Sequence, residues 1–360
     1  MSDRSRHHGS GTVAVAAIAE HHAAKYHTTE HHAADHHAAE HDTAEPAACA
    51  GSSIRVYSPA TIGNIGPGFD VLGLAVTGLG DIVEARRIPH GVIIESLESP
   101  MPLPQDADKN TAGIAAREVL SLLGDPGGIA LTLKKGLPSG SGLGSSAASA
   151  AAGAFAANAL YGKLSKEELI LPATKAESVV SGGFFADNTA PSLLGGATLT
   201  RSTLPLDVTR IGSIADLRVI LVTPDIIVLT KEARAILPKH VSLHNFVRNM
   251  ANTALITAAF AKDDYALFAR SLHDYVIEPV RATLIRGYDD VRKAALAAGA
   301  DGMAISGSGP TVFAITDCEK KATTIAGAMV AAFASNGVRS TSHIATVDSE
   351  GTRLLRSGSA

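Results

Sequence analysis

The sequence predicts an α+β protein with two subdomains, and three observations support this. Strand-like and helix-like segments follow one another in mixed order, without the strict alternation of a doubly wound parallel sheet. A hydrophobic fraction of 46% over 360 residues is enough for a sizeable core. The composition changes near residue 52, after a His-rich segment, so the folded protein is expected to start near Ile54.

The predicted elements rest on hydrophobic periodicity and on start and stop signals. The strands cover residues 54–58, 82–86, 92–95, 129–134, 193–201, 217–222, 303–306, 312–316 and 343–347. The helices cover residues 111–123, 145–160, 166–180, 231–236, 244–260, 263–272, 287–298 and 319–335. The two subdomains are expected at 53–212 and 213–350, with residues 351–360 as a tail.

The N-terminal segment 1–52 is expected to be disordered. It contains ten of the 15 histidines, and between Glu20 and Asp42 it reads as a loose five-residue repeat that matches neither helix nor strand. It has almost no large apolar side chains to bury. Its i,i+4 pairs could bind Zn²⁺, Ni²⁺ or Cu²⁺ in a helix, and the alternative is an extension without a specific ligand. These pairs are His27/His31, His32/His36 and His37/His41.

Composition argues against several classes of protein and of partner. A net charge of −4 gives no reason to expect nucleic acid or an anionic membrane surface. No apolar run reaches about 18 residues, so no membrane span is expected. Cys49 lies in the predicted disordered segment, so a disulfide with Cys318 is not expected. A cytoplasmic location follows, a plastid location stays open, and secretion is not expected because the apolar run 13–19 is short.

The loop Pro138–Ala147 (PSGSGLGSSA) predicts a site for nucleotide phosphates. It lies between a predicted strand and a long Ala-rich helix, with glycine at every second position from Gly140 to Gly144. Glycines let backbone N–H groups approach an anion, and the helix N-terminus adds donors and a positive dipole end. No lysine follows Gly144, which argues against a Walker loop, and the βαβ context of a dinucleotide site is missing. A plain turn is the remaining alternative.

Three motifs in order resemble those of the GHMP kinases, the superfamily of galactokinase, homoserine kinase, mevalonate kinase and phosphomevalonate kinase. They are Ser58–Asp70, Pro138–Ala148 and Ile305–Thr311, the last a Gly-rich turn that supports the phosphate loop. The resemblance spans most of residues 54–347. It implies the two-domain GHMP kinase fold, with a ribosomal protein S5 domain 2-like N-terminal domain and a ferredoxin-like C-terminal domain. A left-handed βαβ unit would carry the loop, and the active site would lie between the domains.

Further segments are similar to homoserine kinases in particular. They are Asn64–Asp70, Asp187–Pro191, Thr230–Pro238 and Ile277–Ile285, while Asp108–Gly113 matches a stretch beside the nucleotide base. The resemblance implies transfer of phosphate from ATP, with Mg²⁺, to the side-chain hydroxyl of L-homoserine in threonine biosynthesis. It also implies a possible homodimer.

The resemblance assigns roles that the chemistry of the residues supports. Arg234 and Arg281 can bind the α-carboxylate through paired hydrogen bonds, and Asp70 can take the ammonium group. The catalytic set is Asn64, Asp187, Asn188 and Arg234. The substrate-binding set is Asn64, Asp70, Asp187, Asn188, Thr230, Arg234 and Arg281. The ATP-binding set is Asn110, Pro138, Ser139, Gly140, Ser141, Gly142, Leu143, Gly144, Ser145 and Ser146. The metal-binding set is Ser145, Ser146 and Glu177.

Structural alternatives stay open for several of these side chains. The two arginines could be surface ion-pair partners, Glu177 could be solvated, and Asp187 with Asn188 could form an Asx turn. Whether Asp187 removes the proton of the hydroxyl or only orients it is also open.

Phe185 departs from the pattern, because homoserine kinases usually have His two residues before the motif aspartate. Phenylalanine offers neither a hydrogen bond nor a charge there. Two further hypotheses therefore accompany the first: a related small-molecule kinase with another substrate, and a non-catalytic nucleotide-binding protein.

Overall fold

The computed structural model describes residues 53–356. The segment 1–52, predicted to be disordered, and its candidate metal-binding histidine pairs lie outside the described residues. Within the described part of the chain, no helix is long and apolar enough to cross a membrane.

Strands and helices alternate irregularly between residues 53 and 356. The strands are β1 (Ile54–Gly63), β2 (Leu72–Ile88), β3 (Val92–Glu98), β4 (Gly128–Lys134), β5 (Ala197–Thr203), β6 (Leu206–Gly212), β7 (Arg218–Pro224), β8 (Gly302–Ile305), β9 (Val312–Thr316), β10 (Ser340–Ala345) and β11 (Arg353–Leu354). The helices are α1 (Thr111–Leu122), α2 (Ser145–Tyr161), α3 (Lys166–Ser181), α4 (Thr189–Leu194), α5 (Thr230–Ala235), α6 (Leu243–Lys262), α7 (Tyr265–Ser271), α8 (Glu278–Arg281), α9 (Tyr288–Ala297) and α10 (Glu319–Ser335).

The first sheet carries the strands that lead into the phosphate loop. Its order is β11-β1-β2-β4-β3, with β5 paired to the start of β2 and β6 paired to β5. β3 and β4 are parallel and are connected through α1, whereas the other pairs are antiparallel. β4 ends at Lys134, and the loop that follows it leads into the N-terminus of α2.

The alanines of α2 explain how that helix is held. It is buried on nearly all sides, among α1, α3 and the first sheet. Small side chains permit this close packing: a Cβ at Gly153 would lie 2.2 Å from the carbonyl oxygen of Ala112 in α1. A helix packed on all sides cannot shift easily, so its N-terminus is fixed in position.

The second sheet is antiparallel, in the order β10-β7-β9-β8. If the four strands are numbered 1 to 4 along the chain, their order in the sheet is 4-1-3-2, which is the arrangement of a ferredoxin-like unit. α9 and α10 pack on it around a core that includes Val291, Met329 and Phe333. The predicted hairpin of β8 and β9 and the helix at 319–335 are confirmed.

The structure contains elements that were not predicted, including β6, α4 and α8. It also differs from the predicted elements as follows. The predicted strand 193–201 is split, because Gly195 and Gly196, both with positive φ, end α4 and turn the chain into β5. The predicted strand 82–86 is the second half of the 17-residue β2. The predicted tail 351–360 instead contributes β11, whose Arg353 also binds Asp348 at 3.0 Å.

Candidate active site

A cleft of about 510 Å³ is lined by residues of both subdomains. Predicted site residues in the lining are Asn64, Asp70, Asn110, Ser139, Gly140, Ser141, Gly142, Gly144, Ser145, Ser146, Glu177, Asp187, Asn188, Thr230, Arg234 and Arg281. Pro138 and Leu143 are outside the lining. Leu143 is buried in the core, and its carbonyl accepts a hydrogen bond from the Thr61 N–H at 3.1 Å, so it anchors the loop from behind.

The backbone of the loop has the conformation that its glycines allow. Gly140, Gly142 and Gly144 have φ values of 69°, 81° and 65°, in the left-handed region that other residues rarely adopt. Gly144 precedes α2, and no side chain caps the first turn of that helix. The N–H groups of this turn and the helix dipole are therefore available to an anion.

The Gly-rich turn Ile305–Thr311 supports the loop, as the sequence predicts. The Ser306 hydroxyl donates to the Gly142 carbonyl at 2.7 Å, and the Thr311 N–H donates to the Ser141 carbonyl at 3.1 Å. A Cβ at Gly142 would lie 2.6 Å from the Ser306 carbonyl oxygen. The close approach of the two backbones thus requires glycine at this position.

The two serines after the loop make different contacts. The Ser145 hydroxyl donates to the Leu137 carbonyl at 3.0 Å, which ties the loop to α2. The Ser146 hydroxyl donates to a Glu177 carboxylate oxygen at 3.1 Å. Burial raises the pKa of Glu177, while hydrogen bonds from nearby serines and the charge of Arg234 oppose the rise. A partly buried carboxylate beside a hydroxyl is an oxygen donor set of the kind that Mg²⁺ prefers.

Asp187 and Asn188 lie directly before α4, against β1 and β2. A Cβ at Gly63 would lie 2.6 Å from Asp187 Oδ2, and one at Gly73 would lie 1.8 Å from the Asp187 carbonyl oxygen. These two glycines pair across the strands, and their lack of side chains makes room for the aspartate. The Asn188 amide oxygen accepts a hydrogen bond from the Thr61 hydroxyl at 2.8 Å.

The environment of Asp187 favours its neutral form. Its side chain is buried, and burial raises its pKa to about 7, with the charges of Asp70 and Glu177 adding to the rise. Arg234 opposes this by stabilising the carboxylate. A carboxyl group with a pKa near neutrality can both accept and release a proton at physiological pH.

Arg234 and Asp70 were predicted to bind opposite ends of a substrate, and here they bind each other. The two terminal guanidinium nitrogens of Arg234 lie 3.0 and 2.9 Å from the two carboxylate oxygens of Asp70. The Nε donor of Arg234 is buried and has no hydrogen-bond partner among the described residues. The guanidinium also lies over the rings of Phe185 and Phe69, with centroid distances of 4.1 and 5.2 Å.

Arg281 is a buried cation in the same part of the cleft. Its side chain donates to the Gly307 carbonyl at 2.8 Å and lies over the ring of Phe69, 5.1 Å from the ring centroid. Only 3% of Arg281 is exposed, and among residues 53–356 no carboxylate lies within ion-pair distance of it. Burial and the charge of Arg234 lower its pKa. The site therefore holds more positive charge than its own contacts neutralise.

Three other predicted residues mainly organise the site. The Asn64 amide donates to the Gly307 carbonyl at 3.0 Å and accepts from the Asp70 N–H at 3.0 Å, so it links the first motif to the third. Asn110 caps α1 and donates to the Pro104 carbonyl. Thr230, at the start of α5, has its hydroxyl 3.4 Å from that of Ser308.

Sequence reasoning missed Lys135 in the cleft and Phe69 beside its arginines. Lys135 lies in the lining, and its buried ammonium binds Asp81, the Ser145 carbonyl and the Ser149 hydroxyl. Its position three residues before Pro138 was the available signal. Phe69 was visible inside the first motif, but nothing in the sequence indicated that its ring contacts both arginines.

Known proteins share this architecture. The family model described as the GHMP kinases N terminal domain matches residues 110–196, and that of the GHMP kinases C terminal domain matches residues 256–335. A crystal structure of homoserine kinase from Cytophaga hutchinsonii superposes with a TM-score of 0.80 at 42% identity, covering 84% of this chain and 97% of that one.

Curated sequences agree with the structural match. The homoserine kinase of Chloroherpeton thalassium is 43% identical over 313 residues, which is 83% of this chain and 98% of the relative. That of Arabidopsis thaliana is 43% identical over 316 residues, 85% of each chain. These matches confirm the predicted two-domain fold, and the chain belongs to the homoserine kinase family of the GHMP kinases.

Proposed function

We propose that this chain transfers the γ-phosphoryl group of ATP to the side-chain hydroxyl of L-homoserine and forms O-phospho-L-homoserine. The observation that carries the proposal is the pair of arginines beside acidic groups. Arg281 is buried without a carboxylate partner in the described chain, and the Nε donor of Arg234 is unpartnered. An α-carboxylate supplies the missing acceptor and negative charge. The named relatives and the family support the choice of substrate.

The nucleotide would lie with its phosphates along Pro138–Ala147. The left-handed glycines and the uncapped first turn of α2 offer backbone donors to the phosphates. The same cleft is lined by Leu103, Pro104 and Asn110, and these residues would contact the nucleotide base. Because this contact is mostly with backbone, it holds the phosphates without committing a side chain to them.

Ser146 and Glu177 would hold Mg²⁺, since their oxygens already meet at 3.1 Å and burial disfavours the free carboxylate charge. When bound, the metal neutralises charge on the β- and γ-phosphates. Ser145 fits a metal ligand less well, because its hydroxyl is donated to Leu137.

The amino acid would enter between the two charged residues that now bind each other. Its carboxylate would bind Arg281 and Arg234, and its ammonium group would bind Asp70. Both new contacts replace the Asp70–Arg234 pair, so a zwitterion compensates for the interaction it breaks, whereas a ligand with one charge does not. The side-chain hydroxyl would then face Asp187.

Asp187 would accept the proton of the hydroxyl as its oxygen bonds to the γ-phosphorus. The bond between the γ-phosphorus and the β–γ bridging oxygen breaks, and ADP leaves. With a pKa of about 7, Asp187 is partly deprotonated at neutral pH and can act in this way. Asn188, fixed by Thr61, would orient the hydroxyl.

The test is ADP release by the purified chain with MgATP and one of four alcohols: L-homoserine, L-threonine, mevalonate or galactose. We expect rapid turnover with L-homoserine and a product whose phosphorus resonance is that of a phosphomonoester. Preference for another alcohol would favour a kinase with another substrate. ATP binding without turnover of any alcohol would leave only a nucleotide-binding protein.

Several expectations from the sequence remain proposals beside this one. They are the domain limits at 53–212 and 213–350, a cytoplasmic location, a homodimer, and metal binding by the N-terminal histidines. The dimer is checked by light scattering on the full chain. The histidine segment is checked by comparing activity and Ni²⁺ binding of the full chain with those of a chain that starts at Ser52.

A further inference from the structure

Phe185 contacts the arginine proposed to bind substrate. The segment 182–187 leads from the end of α3 to Asp187, and the half-buried ring of Phe185 lies along it. The centre of the Arg234 guanidinium is 4.1 Å from the ring centroid, the closer of its two ring contacts. The phenyl ring thus supplies a surface for the cation and no charge of its own.

We propose that Phe185 is a positioning residue that determines specificity: its ring fixes Arg234 in the orientation that binds the α-carboxylate of the substrate. The inference rests on the proposed function. It assigns Phe185 a contribution to substrate selection.

The geometry shows why Asp70 alone does not fix the guanidinium. The bidentate contact at 2.9 and 3.0 Å holds the two terminal nitrogens of the planar group. The rest of the group can still rotate about the line that passes through these two nitrogens. The Phe185 ring, whose centroid lies 4.1 Å from the guanidinium carbon, restricts that rotation. Phe69, at 5.2 Å, restricts Arg234 further and also contacts Arg281.

The fixed orientation matters most for ligands that have a carboxylate. The Asp70 contact is lost or rearranged when the substrate's ammonium group takes Asp70, so at that point the aromatic contacts remain to hold Arg234. An amino alcohol without a carboxylate makes no use of the fixed guanidinium. The ring is therefore expected to improve discrimination between amino acids and simple amines that bear the same hydroxyl.

The experiment measures how a change at Phe185 alters binding of ligands with and without the carboxylate. Phe185→Leu removes the ring and keeps an apolar side chain, Phe185→Met does so with another shape, and Phe185→Tyr keeps the ring. L-2-aminobutyrate has the carboxylate and ammonium of homoserine without the hydroxyl, and 3-amino-1-propanol has the ammonium and hydroxyl without the carboxylate. Inhibition constants of both, and KM for L-homoserine and ATP, are measured for each variant, with circular dichroism as the check of folding.

For Phe185→Leu and Phe185→Met we expect KM for L-homoserine and the inhibition constant of L-2-aminobutyrate to rise together about five- to tenfold, as expected for loss of a partly desolvated cation–π contact. The inhibition constant of 3-amino-1-propanol and KM for ATP should change less than about twofold. Phe185→Tyr should retain wild-type values. In an Arg234→Lys background, Phe185→Leu should change KM for L-homoserine less than about twofold, because the two residues act through one contact.

Two results would overturn the inference. Equal weakening of both inhibitors would mean that Phe185 only packs the site. Unchanged binding of both would mean that the ring does not contribute to ligand binding. Failure of the unaltered chain to phosphorylate L-homoserine would instead count against the proposed function. In that case, calorimetric measurement of L-2-aminobutyrate binding would still test the contribution of the ring.

Discussion

The two halves of the cleft present different chemical groups, backbone donors in one half and charged side chains in the other. The proposed phosphate side, Pro138–Ala147, presents backbone N–H groups whose directions are set by left-handed glycines and by α2. The proposed substrate side, formed by Asp70, Asp187, Arg234 and Arg281, presents charged side chains that come from four separate segments. The first is specified by local spacing in the sequence, whereas the second depends on how distant segments pack.

The difference also concerns what each half does before a ligand arrives. The glycine loop has its donors in place, and the Gly-rich turn Ile305–Thr311 keeps them there. On the substrate side, Asp70 and Arg234 satisfy each other, so binding must exchange one set of ionic contacts for another. We expect changes on the phosphate side to act through geometry and changes on the substrate side to act through charge.

The largest effect is expected at Asp187, where a single charge is removed without a change in shape. Asp187→Asn should lower kcat about 10²- to 10⁴-fold, because the hydroxyl loses its proton acceptor. KM for ATP should change little, since the carboxyl group is not part of the loop. Steady-state kinetics with MgATP and L-homoserine check both expectations, with the exposed Asp216→Asn as the matched control.

The pH dependence of kcat/KM also tests whether Asp187 accepts the proton. Since burial raises the pKa of Asp187 to about 7, the reactive deprotonated form increases as pH rises through 7, and kcat/KM should rise with it. Asp70, Glu177 and Arg234 are the charged groups that set this value. The residual activity of Asp187→Asn should lack the rise. A rise of the same size in that variant would mean that another group accepts the proton.

The next largest effect is expected from a methyl group in the loop. Gly142→Ala places a Cβ 2.6 Å from the Ser306 carbonyl oxygen and 2.7 Å from that of Gly309, at a φ of 81°. The loop must move, and displacement of the phosphates by about 1 Å can cost about 100-fold in rate. We expect kcat/KM for ATP to fall by about that factor, measured at saturating L-homoserine.

Gly327→Ala is the control for this change, because a Cβ at this position in α10 meets nothing within 4 Å. That variant should keep its activity and melt at the same or a higher temperature, since alanine favours helix. If Gly142→Ala kept wild-type kinetics for ATP, the loop would not be the phosphate site.

A smaller effect, about tenfold, is expected from loss of a metal ligand. Glu177→Gln keeps the hydrogen-bonding shape beside Ser146 but removes the charge, so the Mg²⁺ concentration for half-maximal activity should rise about tenfold, or about 1.4 kcal/mol. Activity is titrated with Mg²⁺ at fixed free ATP. Glu118→Gln, at an exposed ion pair with Lys175, should leave the titration unchanged. An unchanged midpoint in Glu177→Gln would place the metal elsewhere.

Much of the fold could be predicted because its signals are local. The Ala-rich α2, the glycine loop before it and the helix at 319–335 all follow from spacing within one segment. The strand expected at 193–201 was wrong in its first residues, because two adjacent glycines separate α4 from β5 and the sequence reads as one apolar run. The tail was wrong because β11 pairs with β1 almost 300 residues earlier, a contact that no local pattern indicates.

The site shows the same limit. The motif residues could be named from the sequence, and most of them do line one cleft. What could not be predicted is which contacts these side chains make: the Asp70–Arg234 pair, the separate partners of the two adjacent serines, and the contact of Phe185 with Arg234. These contacts depend on side-chain directions that tertiary packing sets and that spacing along the chain does not indicate.

The smallest expected effect separates those adjacent serines. Ser145→Ala leaves the Leu137 carbonyl without its donor, which should lower stability by about 1 kcal/mol and the melting temperature by about 2 °C. Ser146→Ala should keep the melting temperature and raise the Mg²⁺ requirement about threefold, because a neutral hydroxyl is a weaker ligand than a carboxylate. Thermal melts and Mg²⁺ titrations of both variants measure the two effects. If both serines changed the Mg²⁺ midpoint equally, the loop-closing hydrogen bond of Ser145 would have to open when the metal binds, and the phosphate side would share the rearrangement that we assign to the substrate side alone.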